Sequence, residues 1–162
     1  MTEDSGSLAE NEPAEERDRA FAVELQILRQ AALVVLDNLD PPDDEGTDAL
    51  QFQLEAAIRC WLLGGPRVAL PLLDVLAHRY PERPDAEYFA GCILAGENDP
   101  AALSHLEKAI QLDPWRYRRY AGEARRLIAR LHGPEEARHY WDATRRRYGP
   151  SIVAARMKRC NG

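Results

Sequence analysis

Ala101-Ala-Leu-Ser-His-Leu-Glu-Lys-Ala-Ile-Gln-Leu-Asp-Pro114 reads as a single helix with a marked end. Ala102, Leu106 and Ala109 are spaced by four and then three residues, which sets them on one helical face. The small residues let a second helix approach closely, and the leucine one turn on fills the space beside it. Pro114 cannot continue the helix. The pattern recurs 33 residues earlier in the chain, as Ala69, Leu73, Leu76 and Pro81. Ahead of it stands Cys60-Trp-Leu-Leu-Gly64, matched by Cys92-Ile-Leu-Ala-Gly96 ahead of the second copy. A third, less faithful copy follows with Gly133, Ala137, Trp141, Thr144 and Pro150.

Between these anchors the chain carries helical patterning only, broken at Gly64-Gly65-Pro66, Tyr80-Pro81, Gly96 to Pro100, Asp113-Pro114, Gly133-Pro134 and Gly149-Pro150. No extended apolar–polar alternation marks a strand. Glycine is expected to end one helix of each pair in a left-handed conformation, and proline to stop the next. A pair of this kind leaves an apolar face open, so neighbouring pairs must stack to bury it.

These residues resemble the tetratricopeptide repeat, TPR, over about 49–150. In the first unit Ala56-Ala57 match its small pair, Gly64 its turn, Ala69 and Leu73 its second helix and Pro81 its closing proline. Gln53 and Cys60 stand where the family prefers Trp and Tyr. In the second unit Gly96, Ala102, Leu106, Ala109 and Pro114 match. The resemblance implies an all-α chain: a short right-handed solenoid of about three TPR-like helical hairpins with N- and C-terminal capping helices, about eight helices in all. It also implies a groove lined by the first helix of each pair, which in the first unit includes Gln51, Leu54, Ile58 and Trp61. The layout is similar to that of the small cytoplasmic chaperones of bacterial type III secretion, with an acidic N-terminal helix ahead of three repeats.

Outside the repeats, residues 1–12 are small, polar and acidic and are expected to be a disordered tail. Residues 13–39 read as an amphipathic helix, opened by Pro13 and followed by Glu15, Glu16 and Asp18 at its positive end. Its apolar stripe, including Phe21, Leu25, Leu28, Ala32 and Val35, either caps the first repeat or meets a second copy of the chain. Residues 40–48 form an acidic linker with two prolines. Residues 151–162 are expected to be a separate capping helix and tail, starting after Pro150.

The whole chain of 162 residues carries a net charge of −6, unevenly placed. Residues 1–48 hold 3 basic and 14 acidic side chains, whereas 115–162 hold 13 basic and 4 acidic. Such polarity suits an acidic partner, nucleic acid, or contact between opposite ends. No apolar run approaches the ~20 residues that cross a bilayer. Three cysteines, with no C-x-x-C pair, fit neither a disulfide scaffold nor a cysteine zinc site. A reduced cytoplasmic protein with no membrane partner is the expectation.

No catalytic set stands out, so a non-enzymatic chain without metal or cofactor is expected. His78, His105, His132 and His139 show no H-E-x-x-H spacing. Gly64-Gly65-Pro66 lacks the length and the Lys-Ser/Thr of a phosphate loop. Cys60 and Cys92 occupy matching repeat positions and read as packing residues.

The sharpest local feature is basic and aromatic: Trp115-Arg-Tyr-Arg-Arg-Tyr120, then Arg125, Arg126, Arg130 and Arg138, then Tyr140-Trp141 and Arg145-Arg-Arg-Tyr148. Arg116, Arg119, Tyr120, Arg126, Arg130, Arg145, Arg146 and Arg147 are its candidate contact residues. Arginine with aromatics binds acidic proteins at hot spots, and binds RNA through phosphate contacts and stacking. Read the other way, the aromatics are core and the arginines a solvated face. The sequence therefore points to a protein–protein interaction module, an adaptor or chaperone holding a peptide or partner segment in a helical groove. A regulatory or RNA-associated role for 115–148, and self-association through the first helix, are the alternatives.

Overall fold

The computed structural model describes residues 14–39 and 48–160. The expected tail at 1–12, Pro13 and most of the acidic linker lie outside the described residues. Within them the chain forms seven α-helices and no strand: α1 (Ala14–Asp37), α2 (Ala49–Gly64), α3 (Pro66–Arg79), α4 (Asp85–Gly96), α5 (Ala102–Leu112), α6 (Tyr117–His132) and α7 (Pro134–Cys160). A 3-10 turn at Pro114–Arg116 leads into α6. No helix among the described residues is long and apolar enough to cross a membrane.

Local chemistry sets the breaks. The Asp48 carboxylate accepts the Leu50 N–H at 3.0 Å and caps α2. A single residue, Gly65 at φ 74°, joins α2 to α3, and Pro66 opens α3. Gly133 at φ 96° and Pro134 repeat the device between α6 and α7. Both glycines hold a backbone conformation that L side chains rarely adopt. Gly96 departs from the expectation: it closes α4 inside the helix, and Asn98 takes the left-handed conformation at φ 57°. Asparagine tolerates that region because its short amide bonds locally. Here the Asn98 Oδ1 accepts Arg130 Nε at 2.7 Å. Asp99 Oδ1 then accepts the Ala101 N–H at 2.8 Å, and Asp113 Oδ1 the Trp115 N–H at 3.1 Å.

From α2 onward each helix packs against the next, and α4 also touches α6. Ala69, Ala102, Leu106 and Ala109 are fully buried, at the close approaches that the repeating spacing demands. One core cluster joins Ala32 and Leu36 of α1, Leu50, Leu54 and Ala57 of α2, Leu72, Leu73 and Leu76 of α3, and Ala86, Ala90 and Ile93 of α4. A second gathers Ala109, Ile110, Tyr117, Tyr120 and Ala121. A third joins Ala95, Ala102 and Leu127. Cys60 and Cys92 are half-buried.

The first helix packs against α3. Three ion pairs fix its direction: Glu24–Arg67 at 2.5 Å, Arg29–Asp74 at 3.4 Å and Asp37–Arg79 at 2.7 Å. Both partners advance together along their helices, so α1 runs parallel to α3.

The separate capping helix expected after Pro150 does not form. Helix α7 runs unbroken through Pro150 to Cys160. Proline removes one backbone donor but leaves the bonds on either side, and Tyr148 and Ile152 both pack against the second core cluster.

Candidate functional site

Between α1, α3 and α4 lies a cleft of about 630 Å³. It forms because α1 rests on α3 and stands off from α4. Phe21 and Leu28 line it from α1, Leu70 and Ala77 from α3, and Ala90 and Leu94 from α4. Small side chains at Ala77, Ala86 and Ala90 leave the space open. The Glu24–Arg67 and Arg29–Asp74 pairs stand along its edge.

One wall of this cleft contains a buried acid. Glu87 is 5% exposed. Its Oε2 accepts His105 Nδ1–H at 2.7 Å, and its Oε1 accepts the Lys108 ammonium. The hydrogen bond from His105 holds the carboxyl below the usual glutamate range; burial opposes this, and Lys108 reinforces it. Its charge is thus satisfied by two donors from α5. Among the described residues no group of three or more His, Cys, Asp or Glu is placed to hold a metal ion. The cleft offers apolar contact area with charged side chains at its border.

A second cleft, of about 860 Å³, lies between the start of α6 and the middle of α7. Trp115, Tyr117 and Arg118 face Arg145, Arg146 and Ile152 across it, with Asp142 at the edge. Arg145 and Arg146 are exposed and pair with no acid among the described residues.

The candidate residues of the basic segment separate into four groups. Tyr120 is 2% exposed and belongs to the core, where burial raises its phenol pKa; it is no surface contact. Four arginines are committed within the molecule. Arg119 lies 4.5 Å over the Tyr88 ring, Arg126 pairs with Glu123, Arg130 bonds Asn98 and the Ala95 carbonyl, and Arg147 pairs with Glu107 at 3.3 Å. Arg116 pairs loosely with Asp113 at 3.5 Å. Arg145 and Arg146 alone of the set line the second cleft.

The expected first-unit groove is corrected in part. Leu54 is 1% exposed and packs in the core, so it lines no groove. Gln51 and Trp61 are exposed and Ile58 is half-buried, and none of the three lines either cleft. The first-helix stripe, expected either to cap the first repeat or to meet a second copy, packs only in part against the first core cluster. Ala32 is buried, Phe21 and Leu28 line the first cleft, Val35 is exposed, and the Leu25 side chain lies outside the described residues. Sequence reasoning missed Ala77, Ala86, Ala90 and Leu94. The four-residue spacing of the last three was the available signal, but it marks any packed helix face.

A scan against protein-family models finds no match to this chain, and neither do searches of curated proteins and of solved structures.

Proposed function

We propose that the chain is a non-enzymatic protein-interaction module of TPR-like helical hairpins, an adaptor or chaperone that buries an apolar partner segment in the cleft between α1, α3 and α4. The observation that carries this reading is the cleft itself, open to solvent and lined by Phe21, Leu70, Ala77, Ala90 and Leu94. An amphipathic helix docks in such a groove by its apolar face, and polar border residues set its orientation. Contact of this kind depends little on salt.

The test compares proteins retained by the wild type and by Ala77→Asp at about 0.5 M salt, where surface charge contacts are screened. Ala77 is half-buried at the cleft wall, so circular dichroism is used to show that the variant stays helical. A partner kept by the wild type and lost from the variant supports the cleft. A partner retained equally by both overturns it.

The second cleft favours a second reading, a regulatory or RNA-associated protein. Arg118, Arg145 and Arg146 surround Trp115 and Tyr117 there. Phosphate binding weakens linearly in log salt. RNA or an acidic protein released at low salt, and lost from Arg145→Glu/Arg146→Glu, would place binding on this surface.

A further inference from the structure

Helix α1 carries a second apolar stripe, which the fold leaves uncovered. Ala20, Val23, Ile27, Ala31 and Val34 are all exposed, with Val23 at 59%, Ile27 at 63% and Val34 at 61%. At 3.6 residues per turn this stripe lies roughly half a turn around the helix from Ala32 and Leu36, which face α3. The ion pairs from Glu24, Arg29 and Asp37 to α3 hold it pointing away from the rest of the molecule.

The order of side chains in the stripe is self-complementary. The spacings are 3, 4, 4 and 3, so the stripe is symmetric about Ile27. Two copies crossing antiparallel at Ile27 set each Val23 against the other copy's Ala31, and each Ala20 against its Val34. Every layer then matches a large side chain with a small one, apart from the central isoleucine pair. A parallel pair stacks Ala20 on Ala20 and Ala31 on Ala31, which leaves voids. The 3-4-4 spacing returns every eleven residues, close to the period of a straight helix, so the pairing needs little supercoiling.

Charge agrees with the same register. Arg19 and Asp37 lie about five turns apart and so share one flank of the stripe. Antiparallel pairing about Ile27 brings Arg19 of one copy within two residues of the level of Asp37 on the other, on facing flanks. Arg19 is exposed, and Asp37 meets Arg79 through one carboxylate oxygen and retains a second. The two-fold axis makes this contact twice.

We propose that the chain self-associates as a dimer through antiparallel pairing of α1 across Ala20, Val23, Ile27, Ala31 and Val34, with a second copy of the chain as the occupant of this face. Each copy keeps its α1–α3 contact, and the cleft between α1, α3 and α4 lies off the paired face.

Sedimentation of the full chain over roughly 1–100 µM tests the association. The wild type is expected to rise with concentration from 18.3 kDa toward twice that mass. Ile27→Glu, on an exposed site, is expected to weaken the dimer at least tenfold while circular dichroism is unchanged. A mass fixed at 18.3 kDa for the wild type, or equal association by the folded variant, overturns the proposal. Mild oxidation of Ile27→Cys tests the register without depending on that variant, with the cross-linked peptide identified by mass spectrometry. A 27–27 disulfide is expected. Val23→Cys is expected to give no 23–23 disulfide, because the two sites lie about 12 Å apart along the axis of an antiparallel pair. Cross-linking at 23, or none at 27, overturns the antiparallel arrangement.

Discussion

Gly91 of α4 and Leu106 of α5 meet so closely that a β-carbon on Gly91 would lie 2.7 Å from Leu106 Cγ and 3.3 Å from its backbone nitrogen. The contact sits where the repeating small–large–small pattern brings paired helices together. Gly91→Ala is expected to force Leu106 aside and to cost about 1–3 kcal/mol. Gly122 of α6 provides the contrast, since nothing lies within 4 Å of its added β-carbon. Gly122→Ala is expected to stabilise by about 0.5–1 kcal/mol through helix propensity. Thermal melts of both variants check the pair, and a Gly91→Ala melt at or above the wild type would show that the helices can separate without loss.

Most of the helix breaks were legible in the sequence because their causes are local. Gly65, Pro66, Gly133, Pro134 and the Asp113-Pro114 pair act within a few residues of themselves. The placement of α1 was legible only in part: a cap on the first repeat was one of two readings of its stripe, and Ala32 is buried there. That helix carries two apolar stripes of similar quality, one through Leu28 and Ala32 and one through Val23 and Ile27. Periodicity alone does not say which one α3 covers. The choice depends on apolar packing against α3, far along the chain, and the pairs with Arg67, Asp74 and Arg79 add at most about 1 kcal/mol each. The first cleft arises from that placement, so no local pattern announced it. The basic segment was legible as a feature but not in its parts, because Asn98 and Glu107 occupy Arg130 and Arg147 from 32 and 40 residues away. Pro150 misled for the opposite reason: a local stop signal was overridden by packing on either side of it.

Glu87 gives the fold an acid-sensitive contact. Its carboxyl pKa lies below the ordinary value of 4.5 because His105 hydrogen-bonds the charged form, with Lys108 adding to this against the cost of burial. A group depressed in the folded state contributes stability above its unfolded pKa and loses it as pH falls through the folded value. The wild type is therefore expected to lose stability below about pH 4.5. Glu87→Gln is expected to be roughly 1–2 kcal/mol less stable at pH 7. Its stability should also fall less steeply in acid. Denaturant melts at pH 7 and pH 3 check this, and parallel pH profiles for the two proteins would remove Glu87 as a source of the acid response.

The contact of α1 with α3 combines ion pairs with apolar packing, and magnitudes decide which dominates. The Asp37 and Arg79 side chains are 64% and 31% exposed, and exposed pairs contribute at most about 1 kcal/mol. Leu36 is 1% exposed, and truncating a buried leucine costs about 2–5 kcal/mol. Arg79→Ala is expected to shift the unfolding midpoint slightly, with the shift shrinking at high salt. Leu36→Ala is expected to shift it strongly at any salt. A larger effect from Arg79→Ala would show that charge, not packing, holds the first helix.

Pro150 sits inside α7 and lines the second cleft beside Arg145 and Arg146. Its ring nitrogen carries no hydrogen, which leaves the Arg146 carbonyl without its partner four residues on. A proline in a helix interior is about 3 kcal/mol less favourable than alanine. Pro150→Ala is expected to restore that bond and to slow amide exchange across residues 151–154, with little change at α2–α5. Arg145 and Arg146 lie in the turn that gains the bond, so any acidic ligand of the second cleft should bind the variant with altered affinity. Exchange at 151–154 that matches the wild type would show that packing of Tyr148 and Ile152 on the second core cluster already holds this part of α7 closed.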